Sequence, residues 1–336
     1  MRDPDPVPER LRLGVIGVGS LGFHHARLLR QTTGVELAGV FDADADRRAD
    51  VARKLEVPAA DRLDALLEGV DACVIAVPTE AHERVAIAAL ERGVSVLIEK
   101  PIAPSLDAAD RILAAAEAAG ALVQIGHVER FNGALRACEA YLEAPLFVES
   151  HRLAPFGPRG TDVAVVLDLM IHDLDLVLSL MKRPVARLAA VGVAVLTHSP
   201  DIANARLEFE GGGVANLTAS RVSLERMRKI RFFQRSGYIS LDLAAGTGEY
   251  LRLRPGIDLA ASGPVQAPAL DQIVERIALH GDGAEPLQRE LESFIAAVRG
   301  TTPVTVTGRE GRAALAVALE IVNRIDRPHV AHQHPA

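Results

Sequence analysis

The chain has 336 residues, 49% of them hydrophobic, with a formal net charge of -7 and a pI near 5.9. That length supports two domains with a core each, and the acidic balance excludes a sequence-independent nucleic-acid surface, which needs clustered positive charge to displace counterions. Apolar runs fall short of the roughly 20 residues of a membrane helix, and the start, MRDPDPVPER, is acidic and proline-broken rather than signal-like, so a cytoplasmic location with no membrane partner is expected. Cys73 and Cys138 sit far apart without partners, so neither a disulfide framework nor a thiolate metal site is supported.

In chain order, LRLGVIG (11–17), VELAGVFD (35–42), DACVIAVP (71–78), VSVLIEKP (94–101) and ALVQIGH (121–127) read as strands buried on both faces, separated by helical patterns. This spells an α/β domain over residues 1–126, a doubly wound parallel sheet of Rossmann type. The rhythm then changes: a strand at 146–154, a helix at 163–181, strands at 186–196, 202–210, 213–220, 228–235 and 237–243, a loop near 254–268, and helices at 286–299 and 308–325. Gly211, Gly212 and Gly213 form a hairpin turn. Residues 127–336 are therefore an α+β domain with a large, mostly antiparallel open sheet, a second domain on which substrate binding and oligomerisation are expected to fall. Apolar residues on both sides of VANLTASRV and IRFFQRS suggest that its open face packs against another copy, as a dimer or tetramer. The tail HVAHQHPA reads as a frayed end rather than a metal site, and no metal is expected.

GVGSLG places Gly17, Gly19 and Gly22 in a G-x-G-x-x-G pattern, weak alone but here directly after a buried strand and at the opening of a helix. Asp42 ends the next strand, twenty positions on. There a carboxylate accepts from a ribose diol while the glycines let the backbone approach a pyrophosphate. It also repels a 2′-phosphate, which favours NAD over NADP, although Arg47 and Arg48 stand close by.

IEKP, residues 98–101, puts Glu99 and Lys100 at a strand's carboxyl end, where open α/β sheets bind ligands. Only four of the 37 basic residues are lysines, so one retained there asks for a chemical reason, and lysine is a compact donor whose pKa moves easily. Further on, LDLMIHDLDL (167–176) sets Asp168, His172 and Asp175 at i, i+4 and i+7 of an otherwise apolar helix, a narrow polar row that suggests a cleft. Asp173 falls on another side and has no role in this reading.

Taken together, GVGSLG, VDACVIAVPTEAH (70–82), the EKP at 99–101, GHVERFN (126–132) and the D-x-x-x-H of Asp168 to His172 resemble the Gfo/Idh/MocA oxidoreductases, NAD(P)-dependent dehydrogenases of sugars, inositols and related polyols. The resemblance implies that Gly17, Gly19, Ser20, Leu21, Gly22, Asp42, Pro78, Thr79, His82, Glu99 and Lys100 hold the cofactor. It implies that Lys100, His172 and Asp168 are catalytic. His172 would be the base, Lys100 a donor to the reacting oxygen, and Asp168 either a binder of another hydroxyl or an orienter of the imidazole. Arg130, Asn132, Arg152, Arg159 and Arg221, with Lys100, Asp168 and His172, are the candidate substrate contacts. GHVERFN together with residues 152–180 is similar to the branch that oxidises the 3-hydroxyl of UDP-N-acetylglucosamine, which supplies a 3-keto sugar nucleotide for cell-envelope glycolipids or polysaccharides. Gly133 departs from the proline common in relatives. The alternatives are a dehydrogenase of a free sugar or inositol, and a dinucleotide-binding regulator without catalysis.

Overall fold

The computed structural model describes residues 10–157, 163–254 and 273–326. The chain forms two compact units, Met1–Phe131 with Glu285–Ala316, and Asn132–Ala284 with Val317–Ala336.

In the first unit β1 (Leu11–Ile16), β2 (Val35–Phe41), β3 (Ala72–Ile75), β4 (Ser95–Glu99) and β5 (Val123–Gly126) form a parallel sheet in the order β2-β1-β3-β4-β5. Every residue of β3, β4 and β5 is buried, as a sheet covered on both faces requires. Helices α1 (Ser20–Gln31), α2 (Ala45–Leu55), α3 (Leu63–Leu67), α4 (His82–Leu90) and α5 (Leu106–Ala119) supply the cover. Their ends are locally encoded: Ser105 caps α5 by accepting from Ala108 N at 3.2 Å, and Gly120 ends it at φ +64°. A helix from late in the chain, Pro286–Val298, joins this core, where Leu291 and Phe294 pack with Leu13 and Val15 of β1 and with Ala26 and Leu29 of α1. The order reverses between β1 and β3, so the switch point, where such sheets bind ligands, lies at their carboxyl ends.

In the second unit α6 (Gly133–Cys138) is followed by β6 (Phe147–Leu153), a π-helical turn (Val166–Met170), α7 (Ile171–Met181), β7 (Val185–Val193), β8 (Ile202–Phe209), β9 (Val214–Ser220), β10 (Met227–Gln234), β11 (Gly237–Asp242), β12 (Thr247–Leu253) and β13 (Val274–His280). The eight strands run in the order β13-β12-β11-β10-β6-β9-β8-β7, antiparallel except for the parallel pair β6 and β9. Val148, Ala205, Leu207, Leu217 and Phe232 lie on the buried face. The other face carries polar pairs, Glu149 with Arg231 at 2.9 Å and Asn204 with Thr218 at 2.9 Å, beside a ring cluster of Phe147, Phe233 and Tyr238.

Three expectations change. β12 and β13 are strands that the sequence reading missed, because their half-buried polar residues give weak alternation. The strand expected at 186–196 stops at Val193, since the Asp201 carboxylate takes the N–H groups of Val195, Leu196 and Thr197. The helix expected from 163 opens with the π turn. The loop expected at 254–268 lies, from 255 on, outside the described residues, as does the histidine tail.

Gly133 has a structural reason: a Cβ there would stand 2.9 Å from the Gly281 Cα. Overpacking of this kind costs about 1–3 kcal/mol. Gly133→Ala should therefore lower the thermal unfolding midpoint by several degrees, and an unchanged midpoint would show that the two backbones separate freely.

Candidate active site

The glycine loop joins β1 to α1. Gly17 sits at φ +84°, and a Cβ on it would lie 2.6 Å from the Ala76 carbonyl oxygen, while a Cβ on Gly22 would lie 1.8 Å from the Gly17 carbonyl oxygen. Both positions need glycine. Gly19 differs: nothing lies within 4 Å of where its Cβ would point. It is the N-cap of α1, and neither a side-chain cap nor an acidic first-turn residue occupies that helix end. The positive end of the helix dipole is thus left without a capping side chain or a carboxylate, beside open space at Gly19, an arrangement that fits a pyrophosphate. Ser20 and Leu21, exposed, begin the helix.

Asp42 closes one side of this loop. Its Oδ2 accepts Val18 N at 2.8 Å, its Oδ1 accepts Asp44 N at 2.9 Å, and the Arg47 guanidinium stands 3.4 Å from Oδ1. Arg48 is turned elsewhere, donating to the Asp42 carbonyl at 3.0 Å and reaching Asp61 at 3.4 Å. Beside them is a cavity of about 470 Å³ lined by Gly17, Gly19, Asp42 and Pro78, among the cofactor candidates, and by Phe41, Leu63, Val77, Arg84 and Val85. Leu63, Arg84 and Val85 belong to none of the motifs, and only the tertiary fold collects them.

At the end of β4 the Glu99 carboxylate turns inward. Oε1 lies 2.6 Å from His25 Nε2 on α1, Oε2 accepts Lys100 N at 3.3 Å, and a Cβ on Gly126 would come within 2.9 Å of Oε2. Glu290 completes a buried group whose ligand atoms lie within 4.8 Å of one another. The His25 and Glu99 contact is a hydrogen bond, so a proton holds the glutamate against α1 beside Lys100. His82, expected at the cofactor, is buried between carbonyls, with Nδ1 2.9 Å from Pro101 O and Nε2 3.0 Å from Val77 O. Burial lowers its pKa against the opposing pull of those carbonyls, and a neutral ring donates to one of them at a time. It ties the end of β3 to the EKP segment, with Thr79 in the short helical turn before it.

In the second unit Asp168, on the π turn, and His172, on α7, are half-buried, whereas Asp173 and Asp175 are buried. The row expected at i, i+4 and i+7 therefore loses Asp175. Asp173 receives a bidentate fork from Arg152, Nε to Oδ2 at 2.8 Å and Nη2 to Oδ1 at 2.9 Å. Removing one member of such a pair costs about 3–5 kcal/mol. Arg221, also buried, donates from Nη2 to the Val163 carbonyl at 2.5 Å and lies 3.8 Å from Asp201. Burial would raise the Asp201 carboxyl, but the N–H groups of Leu196, Thr197 and Val195 and the Thr197 hydroxyl outweigh it and hold the group well below the usual carboxylate range. Asn132 caps α6, accepting Ala134 N at 3.1 Å and donating to Leu243 O at 2.9 Å. Arg130, in the first unit, reaches Glu310 at 3.2 Å. Arg159 lies outside the described residues.

Two family models match: "Oxidoreductase family, NAD-binding Rossmann fold" over residues 11–127 and "GFO/IDH/MocA C-terminal domain" over residues 132–240. The chain is 40% identical over 312 residues to UDP-N-acetylglucosamine 3-dehydrogenase of Acidithiobacillus ferrooxidans, covering 93% of this chain and 96% of that protein. The chain belongs to the Gfo/Idh/MocA oxidoreductase family. A solved structure of the same Acidithiobacillus ferrooxidans enzyme superposes with a TM-score of 0.84 at 38% identity, covering 94% of this chain and 98% of that one. Inositol 2-dehydrogenase 4 of Saccharopolyspora erythraea, another relative, is 35% identical over 49% of this chain and 52% of its own length. Family membership and the open helix end agree on a dinucleotide. Gly22→Ala should abolish NAD binding in isothermal titration while the protein stays folded; retained affinity would mean that the loop does not hold the pyrophosphate.

Proposed function

We propose that this chain is an NAD-dependent dehydrogenase that oxidises the 3-hydroxyl of UDP-N-acetylglucosamine to the 3-keto sugar nucleotide. The observation that carries the substrate is the identity to UDP-N-acetylglucosamine 3-dehydrogenase, which extends over 93% of the chain, whereas the inositol 2-dehydrogenase match covers 49%. NAD, when bound, takes up the hydride. The loop from Gly17 to Gly22 and Asp42 would hold it, and a carboxylate at Asp42, suited to accepting from a ribose diol and repelling a 2′-phosphate, favours NAD over NADP.

Loss of the hydroxyl proton needs a base, and His172 takes it, imidazole being able to accept a proton near neutrality. Lys100 donates a hydrogen bond to the oxygen on which negative charge develops. Asp168 binds a neighbouring hydroxyl or orients the imidazole. Arg130 and Arg159 remain our candidates for the diphosphate; the buried partners of Arg152 and Arg221 favour a supporting role for those two.

Lys100→Ala and His172→Ala should each cut turnover by about a hundredfold or more, general acid-base help being worth roughly that much, with NAD affinity in titration nearly unchanged. Near-full turnover in either variant refutes the assignment. The substrate is tested by following NADH absorbance with UDP-N-acetylglucosamine or myo-inositol, with a keto-trapping reagent to draw the reaction forward. Turnover of the sugar nucleotide and thermal stabilisation by UDP are expected, with NADP a poorer acceptor. Inositol turnover without any effect of UDP would establish the free-polyol alternative instead.

A further inference from the structure

Among the described residues the buried arginines are Arg152 and Arg221, each 4% exposed, and both address the segment around the π turn. After the turn, Arg152 on β6 grips Asp173 through two hydrogen bonds, at 2.8 and 2.9 Å. Asp173 is the residue next to His172, so fixing one side chain about the helix axis fixes the direction of the other. Before the turn, Arg221 donates to the Val163 carbonyl at 2.5 Å, and Val165 N donates to Pro200 O at 3.0 Å. Asp201 backs that contact. It accepts the N–H groups of Val195, Leu196 and Thr197 at 2.8, 2.6 and 2.9 Å, and its carbonyl accepts Arg221 N at 2.9 Å. Between the two grips, the N–H groups of Leu167 and Asp168 both point at the Ala164 carbonyl, at 3.0 and 3.2 Å.

A π turn is an insertion into an α-helix, rare and recurrent at functional sites. A one-residue slip in it would rotate Asp168 about 100° around the axis relative to His172. We propose that Arg152 with Asp173 and Arg221 with Asp201 are positioning residues, two clamps on either side of the π turn that set the rotation of Asp168 against His172. The role in turnover rests on the reading of His172 as the base. The clamps themselves do not. All four side chains lack the exposure that a ligand contact would use, and the two arginines reach the chain on either side of the π turn, Arg152 at Asp173 and Arg221 at Val163.

The test compares wild type with Asp173→Asn and Arg221→Lys. Imidazole resonances are recorded in 15N-histidine-labelled protein, with His172 assigned from the signal lost in His172→Ala. Both variants should bind NAD within about twofold of wild type and shift or broaden the His172 signal. Turnover should fall about tenfold or more while KM moves less, since small misplacements cost rate steeply. An unmoved His172 signal with wild-type turnover in either folded variant overturns the proposal. Should Asp173→Asn fail to fold, the double variant Arg152→Met, Asp173→Leu removes both charges at similar volume, and normal His172 resonances there would equally overturn it. Absent turnover in wild type refutes the dehydrogenase reading instead, because the resonance shift is read without substrate.

Discussion

A Cβ at position 22 would lie 1.8 Å from the Gly17 carbonyl oxygen, and one at position 17 would lie 2.6 Å from the Ala76 carbonyl oxygen. Because both are missing, α1 starts directly over β1, and its uncapped N-terminus opens at the point where the strand order reverses. The rest of the cofactor site in the first unit depends on that crossing. Asp42 can reach back to Val18 only when the loop lies this low, and His25, in the second turn of α1, meets Glu99 at the end of β4 only when the helix runs this close to the sheet. The cofactor loop and the segment bearing Lys100 are thereby parts of one packed body.

The second unit solves a different problem. A helix on which Asp168 and His172 are only half-buried does not bury its whole circumference in apolar contacts, and its π turn departs from regular helix geometry. Buried charge supplies the directionality that apolar packing lacks. A bidentate arginine fork fixes rotation as well as distance, which a leucine in the same place could not do. Energetics agree with a directional role, since buried ion pairs contribute little net stability over well-packed apolar residues but are costly to break singly.

The parallel sheet was legible because its strands are buried on both faces and appear as unbroken apolar runs, and the tight glycine loop because glycine spacing, a preceding strand and Asp42 agree. The cavity walls contributed by Leu63, Arg84 and Val85 were not legible, as they come from separate elements with no fixed spacing. Asp173 had no reading from helical pitch, since its partner Arg152 is 21 positions away on β6. The π turn left no trace in the apolar periodicity of LDLMIHDLDL, and the burial of Asp175 shows where a simple i, i+7 extrapolation fails. Nor could the sequence show that the Pro286–Val298 helix packs on β1 and α1, because amphipathic periodicity names a buried face but not the surface it meets.

The proposed reaction is a direct hydride transfer from one carbon of a sugar nucleotide to NAD. It is tested most directly with UDP-N-acetylglucosamine deuterated at carbon 3 of the sugar, with the reduced cofactor recovered and its mass measured. NADH heavier by one deuterium and a slower rate than with unlabelled sugar are expected. Reduced cofactor without the label would place the oxidation at another carbon, and no reduced cofactor from this substrate, in a protein that binds NAD, would contradict the account.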